Sequence, residues 1–199
     1  MTKLDELKNH LAAGQVYRRA DLAQWSKSVD RHLNELVQQG LLNKLAGGLY
    51  YVPKLSAFGQ TPPEEDALVR GFLKDERFLL TSPNVYNSLG LGTTQLYNQR
   101  TVYNHKRHGK FKLGNRTFNF QVKPHFPNHL SEEFLVVDLV NNLTTLAEDQ
   151  QDVLKKLAVK IAKMDKPKLK QAIADYGGAR ARKLLPSLLA GNTNSVYGS

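Results

Sequence analysis

Lys27, Arg31, Asn34 and Gln38 follow one another at spacings of four, three and four residues. On a helix turning 100° per residue this spacing lines them along one face. Their types suit the edges of base pairs: arginine reads guanine with two hydrogen bonds, asparagine and glutamine read adenine, and lysine reaches guanine or phosphate. Val29, Leu33, Leu36 and Val37 fall within an arc of about 100° on the opposite side, which predicts a core face. The spacing thus predicts a helix over Lys27–Gln39, capped by Ser26 and stopped by Gly40, with Lys27, Ser28, Arg31, Asn34 and Gln38 turned outward. Asp30 and Glu35 flank the face and point to selective rather than purely electrostatic contact.

A reading face needs a frame. Leu4, Leu7 and Leu11 predict a first helix closed by Gly14, and Arg19–Gln24 predicts a short second one. After Gly40, Leu41–Leu45, a turn at Ala46-Gly47-Gly48 and Leu49–Val52 predict a glycine-tipped β-hairpin. Three helices and a ribbon within residues 1–54 have the order of a winged helix-turn-helix DNA-binding domain, whose second motif helix enters the major groove. Arg18, Arg19 and Lys44 are then expected on phosphates, where they set register without reading sequence.

Charge agrees with a polyanionic partner. The 199 residues carry 28 Lys and Arg against 18 Asp and Glu, a net +10, and each cation that meets a phosphate releases condensed counterions. Within Arg100–Lys123 there is no acidic residue. Arg100, Lys106, Arg107, Lys110, Lys112 and Arg116 there form a candidate patch for an anionic partner. Tyr97, Tyr103, Phe111, Phe118 and Phe120 interleave with them, a pattern that also suits stacking on unpaired bases. An RNA-binding protein using residues 97–123 is therefore the alternative reading. Against it, Phe118, Phe120 and Val122 alternate with polar residues, as on a strand with one buried face.

Enzymatic chemistry finds little support. There is no cysteine, hence no thiol nucleophile and no cysteine-based zinc site. No phosphate-binding loop occurs, and Leu89-Gly90-Leu91-Gly92 reads as a helix stop and tight turn rather than a nucleotide fingerprint. His105 and His108 lack a nearby carboxylate, and Glu132, Glu133 and Asp138 lack the companions of a metal-dependent nuclease. Neither a cofactor nor a metal is expected. A protein-interaction adaptor without nucleic-acid affinity remains open.

The segment Leu55–Pro63 reads as a linker, and residues 64–199 as an α+β domain. Its expected elements are a helix at Glu64–Leu73, strands at Phe78–Leu80, Leu96–His105 and Gly109–Lys123 (turning at Gly114-Asn115), and a short helix at Pro83–Ser88. Helices follow over Glu132–Leu146, Asp149–Met164, Pro167–Tyr176 and from Gly178 to Leu189, before a frayed end, GNTNSVYGS. The fold class is α+β throughout. No apolar run approaches the roughly 18–20 residues that span a bilayer, and the charged start MTKLDELKNH lacks a signal-peptide core, so a cytoplasmic location is expected.

The stretches GGLYYVPKLSAFGQTPP, TSPNVYNSLGLGTTQLYNQRTVYNHKRHGKFKLGNRTFNFQVK and EEFLVVDLVNNL resemble the AbiEi-like antitoxins of type IV toxin–antitoxin (abortive infection) systems, over about residues 5–160. The resemblance implies a repressor that binds inverted repeats in its own promoter as a monomer or dimer on the DNA. It also implies that the C-terminal domain counteracts a cognate nucleotidyltransferase-type toxin, without a stable complex. Lys27, Arg31, Asn34 and Lys44 are the positions that the resemblance carries over to DNA contact.

Overall fold

The computed structural model describes residues 2–91, 93 and 95–191. Gly92 and the stretch 192–199, expected as turn and frayed end, lie outside them. The chain is mixed α+β with small sheets. It divides into two compact units, one of Met1–Arg77 with Lys106–Phe120 and one of Phe78–His105 with Gln121–Ser199.

The first unit starts with helix α1, Lys3–Asn9, capped by Thr2, whose side chain accepts the Asp5 N–H while Asp5 reaches back. That bond to Thr2 holds the Asp5 carboxyl below its ordinary value. His10, not Gly14, closes α1; Gly14 instead takes φ 85° and donates its N–H to Val52 O, steering the chain into a strand. This strand, β1 (Val16–Arg18), has no hydrophobic alternation long enough to announce itself and was not expected from the sequence. It pairs antiparallel with β3 (Leu49–Tyr51), which also pairs with β2 (Asn43–Ala46), giving a three-stranded sheet of order β1-β3-β2. Between β1 and β2 lie α2 (Arg19–Leu22), a 3-10 turn over Ala23–Trp25 and α3 (Val29–Gln38).

Helix α3 begins two residues later than its polar spacing suggested. Ser26, the expected cap, is buried and its Oγ lies 2.8 Å from His32 Nδ1, so the side chain is spent on the core instead. Lys27 and Ser28 therefore lie before the helix, with Ser28 as its uncapped N-terminal residue. Val29, His32, Leu33 and Leu36 face inward, joining Leu7, Leu22, Leu42 and Tyr50 in one core. Each such leucine removed from water contributes about 1.5–3 kcal/mol. Val37, placed on the core face by periodicity, packs only at its margin.

Leu55–Pro63 is not a featureless linker: Lys54–Ser56 (β4) and Gly59–Thr61 (β5) pair as a hairpin. Helix α4 (Glu65–Leu73) follows, and the hairpin of β8 (Gly109–Leu113) and β9 (Arg116–Val122) joins this unit up to Phe120, turning at Gly114 with φ 64°. Phe72 of α4 packs on Phe111 and Phe120 at 5.0 Å each.

In the second unit β6 (Phe78–Thr81) pairs antiparallel with β7 (Arg100–Asn104), five residues where a strand over Leu96–His105 was expected. A 3-10 stretch, Pro83–Leu89, stands in place of the expected short helix. Helix α5 (Glu132–Asn142) is capped by Ser131, α6 (Gln150–Ile161) by Asp149 and α7 (Lys166–Tyr176) by Asp165; α8 runs over Ala179–Leu189. Every residue of α5 from Phe134 to Val140 is buried. A helix apolar on all sides belongs at a domain centre, and α5 packs against α7, α8 and the 3-10 stretch. Val122, expected inside, is half exposed at the end of β9. Among the described residues no helix is long and apolar enough to cross a membrane.

Candidate nucleic-acid interface

Arg31, Asn34 and Gln38 all lie exposed on α3, and Lys27 and Ser28 are exposed at its entrance. None of them meets an acidic side chain among the described residues. The two acids expected to temper this face are both engaged. Arg19 grips Asp30 with two bonds of 2.6 Å, Nε to Oδ1 and Nη2 to Oδ2, and these bonds hold the Asp30 carboxyl below its ordinary value. Glu35 accepts from Gln39 at 3.3 Å.

The Arg19–Asp30 pair changes the role expected of Arg19. Its fork is fixed on the first turn of α3, so it ties α2 to α3. Arg18 is likewise held, Nε to Asp21 Oδ2 at 2.9 Å. Both arginines are thus engaged by carboxylates within the first unit, where the sequence had placed them on phosphates. Lys44, on β2, is exposed and has no acidic partner among the described residues. The turn beyond it is fastened at its base, since the Arg19 N–H donates to Gly48 O at 2.8 Å.

Sequence reasoning missed two residues beside this face. His10 and Trp25 stack with centroids 4.3 Å apart and planes 8° from parallel. With Lys27, Ser28 and Arg31 they line a groove of about 780 Å³ at the start of α3. The signal was present in the sole tryptophan of the chain, placed just before the turn into α3. Arg31 Nη2 also lies 3.5 Å from His32 Nε2, while His32 Nδ1 faces Ser26 Oγ at 2.8 Å.

The expected basic patch does not form one free surface. Lys106 pairs with Asp75 at 3.3 Å and donates to Lys74 O at 2.8 Å. Arg107 lies 5.0 Å over the Phe72 ring, and Arg116 pairs with Glu65 at 3.5 Å. Arg100 opens β7 in the second unit. Lys110 and Lys112, two apart on β8, stay exposed on one face. The interleaved rings point inward: Tyr103, Phe118 and Phe120 are buried, Phe111 packs on Phe72, and the half-buried Tyr97 accepts the Ala147 N–H through its hydroxyl. A stacking platform for unpaired bases needs exposed rings, and these five do not supply them.

In the second unit the polar groups converge inside. Asp138 is 2% exposed in the middle of α5, and its two oxygens each accept one phenol at 2.7 Å, from Tyr86 and Tyr103. Asn142 donates to both phenol oxygens and to the Asp138 carbonyl, at 2.9–3.2 Å. Burial pushes the Asp138 carboxyl up against the opposing pull of these hydrogen bonds, and burial with the facing carboxylate pushes both phenols up. Lys123 adds its charge at the edge of this network, 4.6 Å over the Tyr103 ring. His105 packs on Phe126 at 4.8 Å.

No family model matches the chain, and no curated protein matches it. The fold is similar to that of a solved structure, the RV2827C protein from Mycobacterium tuberculosis. The TM-score is 0.58 at 15% identity, over 96% of this chain and 75% of that one.

Proposed function

We propose that this protein is a DNA-binding transcriptional autorepressor whose first unit is a winged helix-turn-helix. In this reading α2 supports, α3 reads the major groove and the β2–β3 hairpin is the wing. The order α1-β1-α2-α3-β2-β3 around a β1-β3-β2 sheet supports it. The single observation that carries it is the outward face of α3. Arg31, Asn34 and Gln38 meet no acidic side chain among the described residues, and Arg19 has taken up Asp30 beside them. Clamping that aspartate removes a charge that would otherwise repel phosphates, without filling the reading face.

From the resemblance of residues 5–160 we further propose that the protein acts as the antitoxin of a type IV system, countering a nucleotidyltransferase-type toxin. The protein itself is not an enzyme in this reading.

A gel shift against the DNA upstream of its own gene tests the proposal. Retardation of that duplex ahead of an unrelated duplex of equal length is expected. Lys44→Ala should weaken both duplexes alike and flatten the salt dependence by about one phosphate contact. No retardation of either duplex at low salt overturns the reading. The antitoxin role is tested separately, by whether co-expression restores growth to cells making the nucleotidyltransferase encoded beside it.

A further inference from the structure

A groove of about 680 Å³ runs between α7 and α8 in the second unit. Lys166, Lys170 and Ile173 line it from α7, and Arg182, Pro186 and Leu189 line it from α8. Both trios follow spacings of four and three residues, which keep each on one helix face. Only Gly177 and Gly178 join the two helices, and Arg182 Nη2 donates to Ala174 O at 3.0 Å. The start of α8 therefore meets the end of α7, and Lys166 and Arg182 stand toward opposite ends of the groove. From Lys166 to Ala174 the helix axis advances about 12 Å.

The cations of this groove lack a counter-charge. Lys166, Lys170 and Arg182 are exposed, none forms an ion pair among the described residues, and no acidic residue lines the groove. The two acids at the ends of α7 face other groups: Asp165 accepts the Lys168 N–H, and Asp175 accepts from Gln171. Arg182 spends one N–H on the neutral Ala174 carbonyl and has four others. Between the charges the lining is apolar, with Ile173 buried, Leu189 half-buried and Pro186 exposed. The chain after α8 has no acidic side chain, and a second copy with net charge +10 is a poor source of one.

The spread of charge selects the ligand. One carboxylate meets cations at one point, and a phosphate backbone has no use for an apolar floor. An amphipathic helix meets both demands, with apolar side chains on the floor and carboxylates a turn apart along the rim. We propose that this groove binds an acidic amphipathic helix of a partner protein. The inference is independent of the DNA-binding reading, which rests on the first unit.

The test titrates the full chain with a synthetic helix-forming peptide of roughly 18 residues. It carries leucines at i, i+3 and i+7, with glutamates one turn apart beside them. A second peptide has lysine for each glutamate, and dodecanoate and an unrelated DNA duplex are titrated in parallel. The amide resonances of Lys170, Ile173, Arg182 and Leu189 report occupancy, and anisotropy of the labelled peptide gives affinity. The glutamate peptide should shift these amides, and the lysine peptide should leave them in place. Lys166→Glu combined with Lys170→Glu should weaken the glutamate peptide about tenfold at roughly 0.1 M salt. Glutamate at position 166 suits the first turn of α7, so the melting temperature should hold. A variant that melts early is replaced by Lys170→Gln alone.

No shift from the glutamate peptide, equal affinity in the variant, or equal binding of the lysine peptide overturns the proposal. Amides moved by dodecanoate alone make the groove a site for a small anionic amphiphile, and amides moved by duplex alone make it a nucleic-acid surface. Either result overturns the partner helix.

Discussion

Replacing Asp138 by alanine is expected to destabilise the second unit by about 2–6 kcal/mol, from one to three for each phenol left without an acceptor. Tyr86 and Tyr103 both donate to this carboxylate inside the core, and Asn142 donates to the same phenol oxygens. Asp138→Asn keeps one oxygen for one phenol and should cost less. The pH dependence distinguishes the two effects. Because burial raises the carboxyl in the folded state, the native protein binds this proton more tightly than the unfolded chain. The stability it contributes is fully present below the unfolded value of about 3.9 and is lost as pH rises through the raised native value. Urea midpoints should therefore fall over that interval in the wild type by more than in Asp138→Asn. Equal stability of wild type and Asp138→Ala would show that the network anchors nothing.

Arg31→Ala is expected to remove most of the preference for the upstream sequence, about 1–3 kcal/mol or roughly five- to 150-fold, while affinity for unrelated duplex changes little. The asymmetry follows from what the side chain touches. Arg31 stands on the exposed face of a helix whose opposite side is locked by Val29, Leu33 and Leu36, so its truncation leaves no cavity and costs the fold little. Its one neighbour, His32 Nε2 at 3.5 Å, remains hydrogen-bonded through Nδ1 to Ser26. Competition binding with the two duplexes measures the ratio. A ratio unchanged by the substitution would remove Arg31 from base reading.

The core of the head was legible because its leucines recur at helical spacing, and the two hairpin turns because glycine marks them. Strand β1 was not legible: three residues, half-buried throughout, carry no period, and pairing with β3 alone makes them a strand. The start of α3 was misplaced because Ser26 has two uses for its hydroxyl, and only the fold reveals that His32 claims it. Arg31, Asn34 and Gln38 lie beyond that shift and are exposed on α3. Ion pairs were the least legible layer. Arg19 and Asp30 are eleven residues apart, and Arg116 and Glu65 are 51 apart, so charge counts along the chain could not show which cations are already engaged. Asp138 was visible as a lone acid in the apolar run FLVVDLV, but its partners are 35 and 52 residues away.

The proposal that α3 enters the major groove is tested by chemistry on the DNA itself. Methylation of guanine N7 blocks the major-groove edge that arginine reads and leaves the minor groove of that base pair open. Methylation interference on the upstream duplex should therefore mark guanines in two clusters about one helical turn, or a multiple of it, apart, and the marks should vanish with Arg31→Ala. Binding that is indifferent to N7 methylation along the whole duplex would contradict a reading helix in the major groove.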